Sequence, residues 1–142
     1  MFINSYSNAN YINDNNFKID DNLGYIYILE NECRVKIGRT SRPGHRVQEL
    51  NNSNSGGLQL KRMTVIGPMY IDKTIESLLH EKFKANRDNG EWFVNISYED
   101  IVNKAIDICT SDEFIKCNNV RKLFIENNNL NSPNIIGENK IC

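Results

Sequence analysis

The chain has 142 residues, which is enough for one domain with its own hydrophobic core. Its composition, with 39% hydrophobic and 25% charged residues, excludes disorder throughout, and its net charge of −1 taken as a total argues against a nucleic-acid partner. The 23 asparagines are concentrated towards both ends, which predicts a polar tail over residues 1–22 and another over residues 127–142.

The first predicted elements are the two strands of a hairpin. Residues 25–29 (YIYIL) are rich in strand-forming types, and residues 34–38 (RVKIG) alternate polar and apolar side chains after a short turn. A capping serine and a proline in the first turn then predict a helix over residues 41–50. Alternation over residues 58–66 predicts a third strand, which the following Gly-Pro pair ends.

Helices follow the third strand. Residues 72–83 carry apolar side chains at helical spacing behind Asp72, which is the expected N-cap. The side chains expected to face the core are Ile75, Leu78, Leu79 and Phe83. After a short strand or buried clip at residues 92–94, Ser97 begins a further helix. A last amphipathic segment covers residues 112–126. Its apolar residues are Phe114, Ile115, Leu123 and Phe124.

This order of elements predicts the α+β class. We expect a small three-stranded antiparallel sheet flanked by helices, formed as a ββαβα core within a domain of residues 23–96. The C-terminal helices, in residues 97–126, are expected to pack on this domain.

Basic residues are concentrated between positions 34 and 48. This segment has five Lys and Arg, one His and no acid, and since the total is −1, the rest of the chain carries −6. The six residues are Arg34, Lys36, Arg39, Arg42, His45 and Arg46. A strand and the start of a helix are expected to hold them on one side of the domain as an anion site. The alternative is a solvated basic face.

Five short strings occur in one order within residues 23–95. They are GYIYILEN, VKIGRT, RVQEL, IESLLHEKF and NGEWF. In these strings the chain resembles the GIY-YIG nuclease superfamily, and within it the T5orf172-type branch, over roughly half of its length. The resemblance implies a ββαβα domain that cleaves DNA with one divalent metal ion, Mg²⁺ or Mn²⁺.

The resemblance also implies roles for individual residues. Tyr27 matches the first-motif tyrosine that acts at the attacking water, Arg46 the arginine that stabilises the phosphate, and Glu76 the carboxylate that holds the metal. Lys36 stands where the second motif usually has tyrosine, two residues before the motif glycine, Gly38. The implied catalytic residues are Tyr27, Lys36, Arg46, Glu76 and His80. The basic residues expected to contact DNA phosphates are Arg34, Arg39, Arg42 and Arg46.

The chemistry of these residue types is consistent with phosphodiester hydrolysis. A metal ion held by one carboxylate keeps coordination positions open for phosphate and water. An arginine offers a planar fork that matches phosphate oxygens. A lysine serves as a general base only if its pKa is lowered.

Each of these residues also has a purely structural interpretation. Glu76 and His80 are four residues apart at the flank of an apolar stripe, where such a pair is usually a boundary salt bridge. Tyr27 by itself is a packing aromatic, and Trp92 is expected in the core. For Glu91 the sequence leaves two interpretations open, a surface residue and a residue that lines the site.

We therefore expect a divalent-metal-dependent DNA endonuclease, with a catalytically inactive DNA-binding module on the same fold as the alternative. A third interpretation is an accessory protein that binds a protein partner through its C-terminal helices. No run approaches the ~20 apolar residues of a membrane helix, and the start of the chain lacks the features of a secretory signal. We accordingly expect no membrane partner, no small-molecule organic cofactor, and a cytoplasmic location, in the host if the protein is viral.

Overall fold

The computed structural model describes residues 2–9, 12–52 and 60–129. Its strands are β1 (Phe2–Tyr6), β2 (Gly24–Glu30), β3 (Val35–Thr40), β4 (Met63–Met69), β5 (Arg87–Asn89) and β6 (Trp92–Phe93). Its α-helices are α1 (Pro43–Asn52), α2 (Asp72–Lys82), α3 (Tyr98–Cys109) and α4 (Asp112–Asn129). Short 3-10 helices cover Asp14–Asn16 and Lys84–Asn86. An antiparallel sheet with helices packed on it is an α+β fold, as predicted.

The strands form one antiparallel sheet in the order β1-β4-β2-β3-β6-β5. Its centre, β4-β2-β3, corresponds to the three strands that we predicted, so the predicted sheet is too narrow. β5 and β6 have three and two residues, too few to show a periodicity. β1 has no clear alternation because its three middle residues are all exposed, and its pairing with β4 is what orders it.

The N-terminal segment is not the loose tail that its asparagines predict. Besides β1 it contributes the buried side chains of Ala9, Ile12 and Phe17. Phe17 packs edge-on against Tyr25 of β2, with ring centroids 5.3 Å apart. These apolar residues are too widely spaced to show a period in the sequence, although each finds a place in the core.

The first turn of α1 is capped by a residue distant in the chain. The Asp14 carboxylate accepts hydrogen bonds from the main-chain N–H groups of Gly44 (2.7 Å) and His45 (3.3 Å). Asp14 Oδ2 also lies 3.4 Å from Arg42 Nε. The helix start at which we expected an anion site is therefore already satisfied by a side chain of the protein itself.

Replacing Asp14 by Ala is expected to lower the free energy of unfolding by about 1–2 kcal/mol, because it leaves two N–H groups of the first turn of α1 without their acceptor. Urea denaturation measures this loss. The control is Asp20→Ala, since Asp20 Oδ1 accepts from Asn22 N–H (2.8 Å) within one exposed turn. Equal losses in the two variants would contradict the capping role.

The sheet separates two apolar clusters. Ile26 and Ile28 of β2 face the cluster that includes α2 and α3, whereas Tyr27 faces the cluster that includes α1. Tyr27 lies opposite Gly38 in the β2–β3 register, and residues opposite each other share a face. Gly38 and Lys36, two residues apart on β3, therefore lie on the α1 side as well. Tyr27 and Lys36 thus share a face.

β4 differs from its predicted bounds. It begins at Met63, later than predicted, and continues through Gly67-Pro68 to Met69. The Gly-Pro pair does not end the strand, because Gly24 of β2 pairs with Met69 beyond it. Residues 53–59, which include the start of the predicted strand, lie outside the described residues.

The helices lie where the sequence predicts them, with two differences in α2. Asp72 makes no capping hydrogen bond, and its carboxylate lies instead 3.3 Å from Arg39 Nη1. Leu78, expected in the core, is 38% exposed. For α3 the expected cap is confirmed, since the Ser97 side chain accepts from Asp100 N–H (3.0 Å).

α4 contacts the domain along one stripe. Phe114 is buried, whereas Ile115 and Leu123 are 51% and 57% exposed, so the apolar residues of the predicted amphipathic segment do not all face the domain. Residues 130–142, most of the predicted C-terminal tail, lie outside the described residues. None of the helices in the described ranges has the length and apolar character needed to cross a bilayer.

Candidate functional site

The predicted catalytic residues meet at the outer edge of β3. β6 pairs with β3 at Val35 and Lys36, and the Glu91 carbonyl accepts a hydrogen bond from Ile37 N–H (3.0 Å). Beyond Ile37, no other strand of the described residues pairs with this edge of β3. Side chains from α1, α2 and the β5–β6 hairpin converge at this open edge.

Tyr27 and Arg46 are paired on the α1 side of the edge. Arg46 Nε donates a hydrogen bond to the Tyr27 hydroxyl oxygen at 3.2 Å. Tyr27 is fully buried, whereas the Arg46 side chain is 35% exposed and can meet a ligand. Gly38 leaves the space for the ring, because a Cβ at that position would overlap with Tyr27 Cζ and the hydroxyl oxygen. The glycine of the second motif therefore has a packing role here.

Burial determines the protonation state of Tyr27. It raises the pKa of Tyr27 to about 12, and the hydrogen bond from Arg46 opposes this only in part. Tyr27 is therefore a neutral phenol at neutral pH. Its oxygen accepts a hydrogen bond from Arg46, so the phenol proton takes no part in that contact. The same hydrogen bond raises the pKa of Arg46.

Glu76 reaches the edge from α2. Its Oε1 lies 3.6 Å from Arg39 Nε, whereas its Oε2 is buried and has no hydrogen-bond partner among the described residues. Burial raises the pKa of Glu76 most, and the negative charge and the side-chain contact of the neighbouring Glu91 carboxyl raise it further, against the opposing effects of His80 and Arg39. A buried carboxylate oxygen is destabilising unless it is paired. Glu76 Oε2 is therefore the atom of this site best placed to bind a cation.

The donor set fits a single, partly hydrated metal ion. No group of three or more His, Cys, Asp or Glu side chains suited to a metal occurs in the part of the chain that the structure describes. Mg²⁺ commonly binds through one or two carboxylates and takes its other ligands from water and phosphate. Glu76, with its unpartnered oxygen, is compatible with this mode of binding.

Lys36 and Glu91 form an ion pair beside these groups. Lys36 Nζ lies 3.0 Å from Glu91 Oε1, and the side chains are 9% and 35% exposed. The contact has the distance of an ion pair without the alignment of a hydrogen bond. Lys36 Nζ also lies 5.2 Å from the ring centroid of Trp92, and Arg34 Cζ lies 4.8 Å from it. Trp92 is thus a half-buried platform for two cations, where we expected a core residue.

His80 contacts the β3 backbone. Its Nε2 lies 2.9 Å from the Ile37 carbonyl oxygen, and since a carbonyl only accepts, this nitrogen carries a proton. The ring packs edge-on against Phe93, with centroids 5.1 Å apart. His80 therefore fixes α2 against β3 one turn away from Glu76, which is a positioning role.

Each arginine predicted to contact phosphate has a carboxylate partner. The pairs are Arg34–Asp88 (3.5 Å), Arg39–Asp72 (3.3 Å), Arg42–Asp14 (3.4 Å) and Arg46–Glu49 (3.4 Å). The segment that is basic in sequence is thus locally balanced by acids in space. Ion pairs at the surface contribute roughly 0–1 kcal/mol, and at least one side chain of each pair is 43% exposed or more, so a phosphate group can compete with the carboxylates.

We expected the basic residues on one side of the domain, but they lie on both faces of the sheet. Arg39 is one residue past Gly38 on β3, and side chains alternate between faces along a strand. Arg39 accordingly contacts Asp72 and Glu76 of α2, whereas Arg46 contacts Tyr27 on the opposite face.

A protein-family model matches the chain over residues 24–110, and its description is the T5orf172 domain. The match runs from β2 through α3 and so extends beyond residue 96, where we expected the domain to end. It covers more than half of the chain and includes every residue of the predicted catalytic set. No match was found among curated proteins or among solved structures. This chain belongs to the T5orf172 domain family.

Proposed function

We propose that this protein is a divalent-metal-dependent DNA endonuclease that hydrolyses phosphodiester bonds with a single-metal site of the GIY-YIG type. The observation that carries the proposal is the buried, unpartnered Glu76 Oε2 at the edge that also holds the Tyr27–Arg46 pair. Membership of the T5orf172 family is compatible with a nuclease and with a DNA-binding role.

Each side chain has a separate part in the proposed hydrolysis. Glu76 would hold the divalent ion, Mg²⁺ or Mn²⁺, which when bound supplies positive charge to a phosphoryl oxygen. Arg46 binds a second phosphoryl oxygen through its partly exposed guanidinium. Tyr27 is assigned the hydrogen bond that orients the attacking water, which its neutral phenol would donate when the ligand reaches its buried hydroxyl. His80 keeps Glu76 in register with β3 through the Ile37 carbonyl.

Supercoiled plasmid DNA incubated with the protein in Mg²⁺, Mn²⁺ or EDTA tests this proposal. We expect nicked product with either metal ion and none in EDTA. DNA retention in a gel shift without cleavage in any metal would support the alternative, a catalytically inactive DNA-binding module. The absence of both cleavage and retention at low salt would contradict both functions, because phosphate contacts dominate non-specific binding.

Replacing Arg46 by Ala is expected to weaken DNA binding about tenfold and to reduce the salt dependence by about one phosphate contact, because a charge-assisted hydrogen bond is lost. Fluorescence anisotropy in EDTA at several salt concentrations measures both quantities. The control is Arg121→Ala on α4, where the guanidinium lies over Phe124 (5.3 Å). Arg121→Ala should leave affinity and salt dependence unchanged, and equal effects of the two variants would exclude Arg46 as a specific phosphate contact.

A further inference from the structure

The Lys36–Glu91 ion pair is the part of the site to which the proposed chemistry assigns no role. Lys36 is almost fully buried, with 9% of its side chain exposed. A buried ammonium group is strongly destabilising unless it is paired. Glu91 supplies that pairing at 3.0 Å, and the neighbouring Trp92 adds a ring face at 5.2 Å. Two consecutive residues of the hairpin therefore fix the end of the lysine side chain.

The hairpin that carries Glu91 is itself fixed to β3. The Glu91 carbonyl accepts from Ile37 N–H (3.0 Å), and Trp92 is paired with Lys36 in the β3–β6 register. These contacts lie at Lys36 itself and at the next residue of β3. The Glu91 carboxylate is consequently held in a set position relative to Lys36, and its placement does not depend on a long mobile loop.

Glu91 also acts on both of the groups to which we assign chemistry. Its charge contributes to the raised pKa of Glu76 and to that of Tyr27. A surface carboxylate remote from the site would not have this effect on two buried groups on opposite sides of the sheet. Glu91 therefore lies near both Tyr27 and Glu76.

We infer that Glu91 is a positioning residue for Lys36: it holds the lysine as a fixed cation beside the open edge of β3, where a DNA phosphate would bind. In this pairing Lys36 is an ammonium ion, which contributes positive charge and does not accept a proton. Lysine in the place of the second-motif tyrosine is then an electrostatic group, and Glu91 acts through it. This inference rests on the proposed nuclease function.

A double-mutant cycle tests the inference. Glu91→Gln and Lys36→Met are each expected to lower the single-turnover nicking rate by about 10- to 100-fold, the order expected for a misplaced catalytic group. Lys36→Met removes the cation, and Glu91→Gln removes only the group that positions it. The double variant should therefore be no slower than Lys36→Met alone. Rates that multiply in the double variant would overturn the inference, since Glu91 would then act independently of Lys36.

DNA affinity in EDTA provides a readout that does not depend on cleavage. Glu91→Gln removes a negative charge beside the phosphate site, so its affinity should equal or exceed that of the wild type while its nicking rate falls. A merely structural role would lower the affinity, the rate and the melting temperature together, and that result would count against the inference. Glu91→Asp keeps the carboxylate and should recover part of the rate, which tests the same point if Glu91→Gln is unstable.

The matched control is Glu81→Gln on α2. Glu81 is 70% exposed and pairs with the exposed Lys84 at 3.1 Å, so this variant should retain the wild-type rate and affinity. If the wild type nicks DNA and Glu91→Gln nicks equally fast, the inference fails and the proposed function stands. If the wild type does not nick DNA with any metal, the proposed function fails, and the inference fails with it.

Discussion

Replacing Glu76 by Gln is expected to reduce metal-dependent nicking by about 100-fold or more while leaving DNA affinity in EDTA unchanged. Glutamine has nearly the shape of glutamate, so the space at α2 stays filled. It has no negative charge, so the metal ion loses its charged ligand. DNA binding without metal depends on the arginines, which Glu76→Gln does not alter apart from the weak contact with Arg39 (3.6 Å). Nicking of supercoiled plasmid and fluorescence anisotropy measure the two quantities.

The same substitution should not reduce stability at neutral pH. Burial raises the pKa of Glu76 above its ordinary value of 4.5. Between 4.5 and the raised value the folded state binds more protons than the unfolded state, so the stability of the wild type falls as pH rises through this window. Glu76→Gln removes this loss. We expect the variant to be at least as stable as the wild type at pH 7.5 in urea. This advantage should decrease as pH falls through the same window and be absent well below pH 4.5, where both states of the wild type are protonated.

Glu81→Gln on the same helix is the control for Glu76→Gln. Its side chain is 70% exposed, so nicking and stability should match those of the wild type. A Glu76→Gln protein that nicks DNA at the wild-type rate would exclude Glu76 as the metal ligand. A Glu76→Gln protein that is strongly destabilised at pH 7.5 would show that the carboxylate has a structural partner.

Replacing Gly38 by Ala is expected to lower the free energy of unfolding by about 1–3 kcal/mol, as overpacking does in a filled core. The new Cβ would overlap with Cζ and the hydroxyl oxygen of Tyr27, which lies directly opposite on β2. Tyr27 is fully buried and has no free space into which to move. Its hydroxyl would then leave the position in which Arg46 Nε donates to it. We expect nicking to fall by about 10- to 100-fold as well.

A second substitution separates the overlap with Tyr27 from a general effect on β3. In a Tyr27→Leu background the ring atoms that meet the new Cβ are absent, so Gly38→Ala should cost less stability than it does in the wild type. Urea denaturation of the four proteins measures this coupling. An equal cost in both backgrounds would contradict the packing role that we assign to Gly38.

The parts of the fold that the sequence predicts well are those with a strong local pattern. The alternation of β3 puts Lys36 and Gly38 on one face, and in the register Tyr27 of the YIYIL run lies on the same face, opposite Gly38. The Ser97 cap is equally local, since it acts on a main-chain group three residues later. In each case one short segment contains all the information that its geometry requires.

What the sequence could not predict depends on contacts between distant segments. Asp14 caps a helix that begins some thirty residues later. Asp72 does not cap α2 as expected, and its carboxylate pairs with Arg39 of β3. A cluster of basic residues in one stretch of sequence therefore gave no sign of its acidic partners. Glu91 follows a predicted turn and belongs to no periodic pattern, so its contact with Lys36 and its proximity to Glu76 emerge only from the three-dimensional arrangement.

The central claim, that Glu76 holds one divalent ion beside the Tyr27–Arg46 pair, is tested most directly by Mn²⁺ binding. Electron paramagnetic resonance measures free Mn²⁺ during titration of the wild type, Glu76→Gln and Glu81→Gln, each with duplex DNA present. We expect one site on the wild type and on Glu81→Gln, and an affinity about 10- to 100-fold weaker for Glu76→Gln. Equal Mn²⁺ affinity of the wild type and Glu76→Gln would contradict the claim.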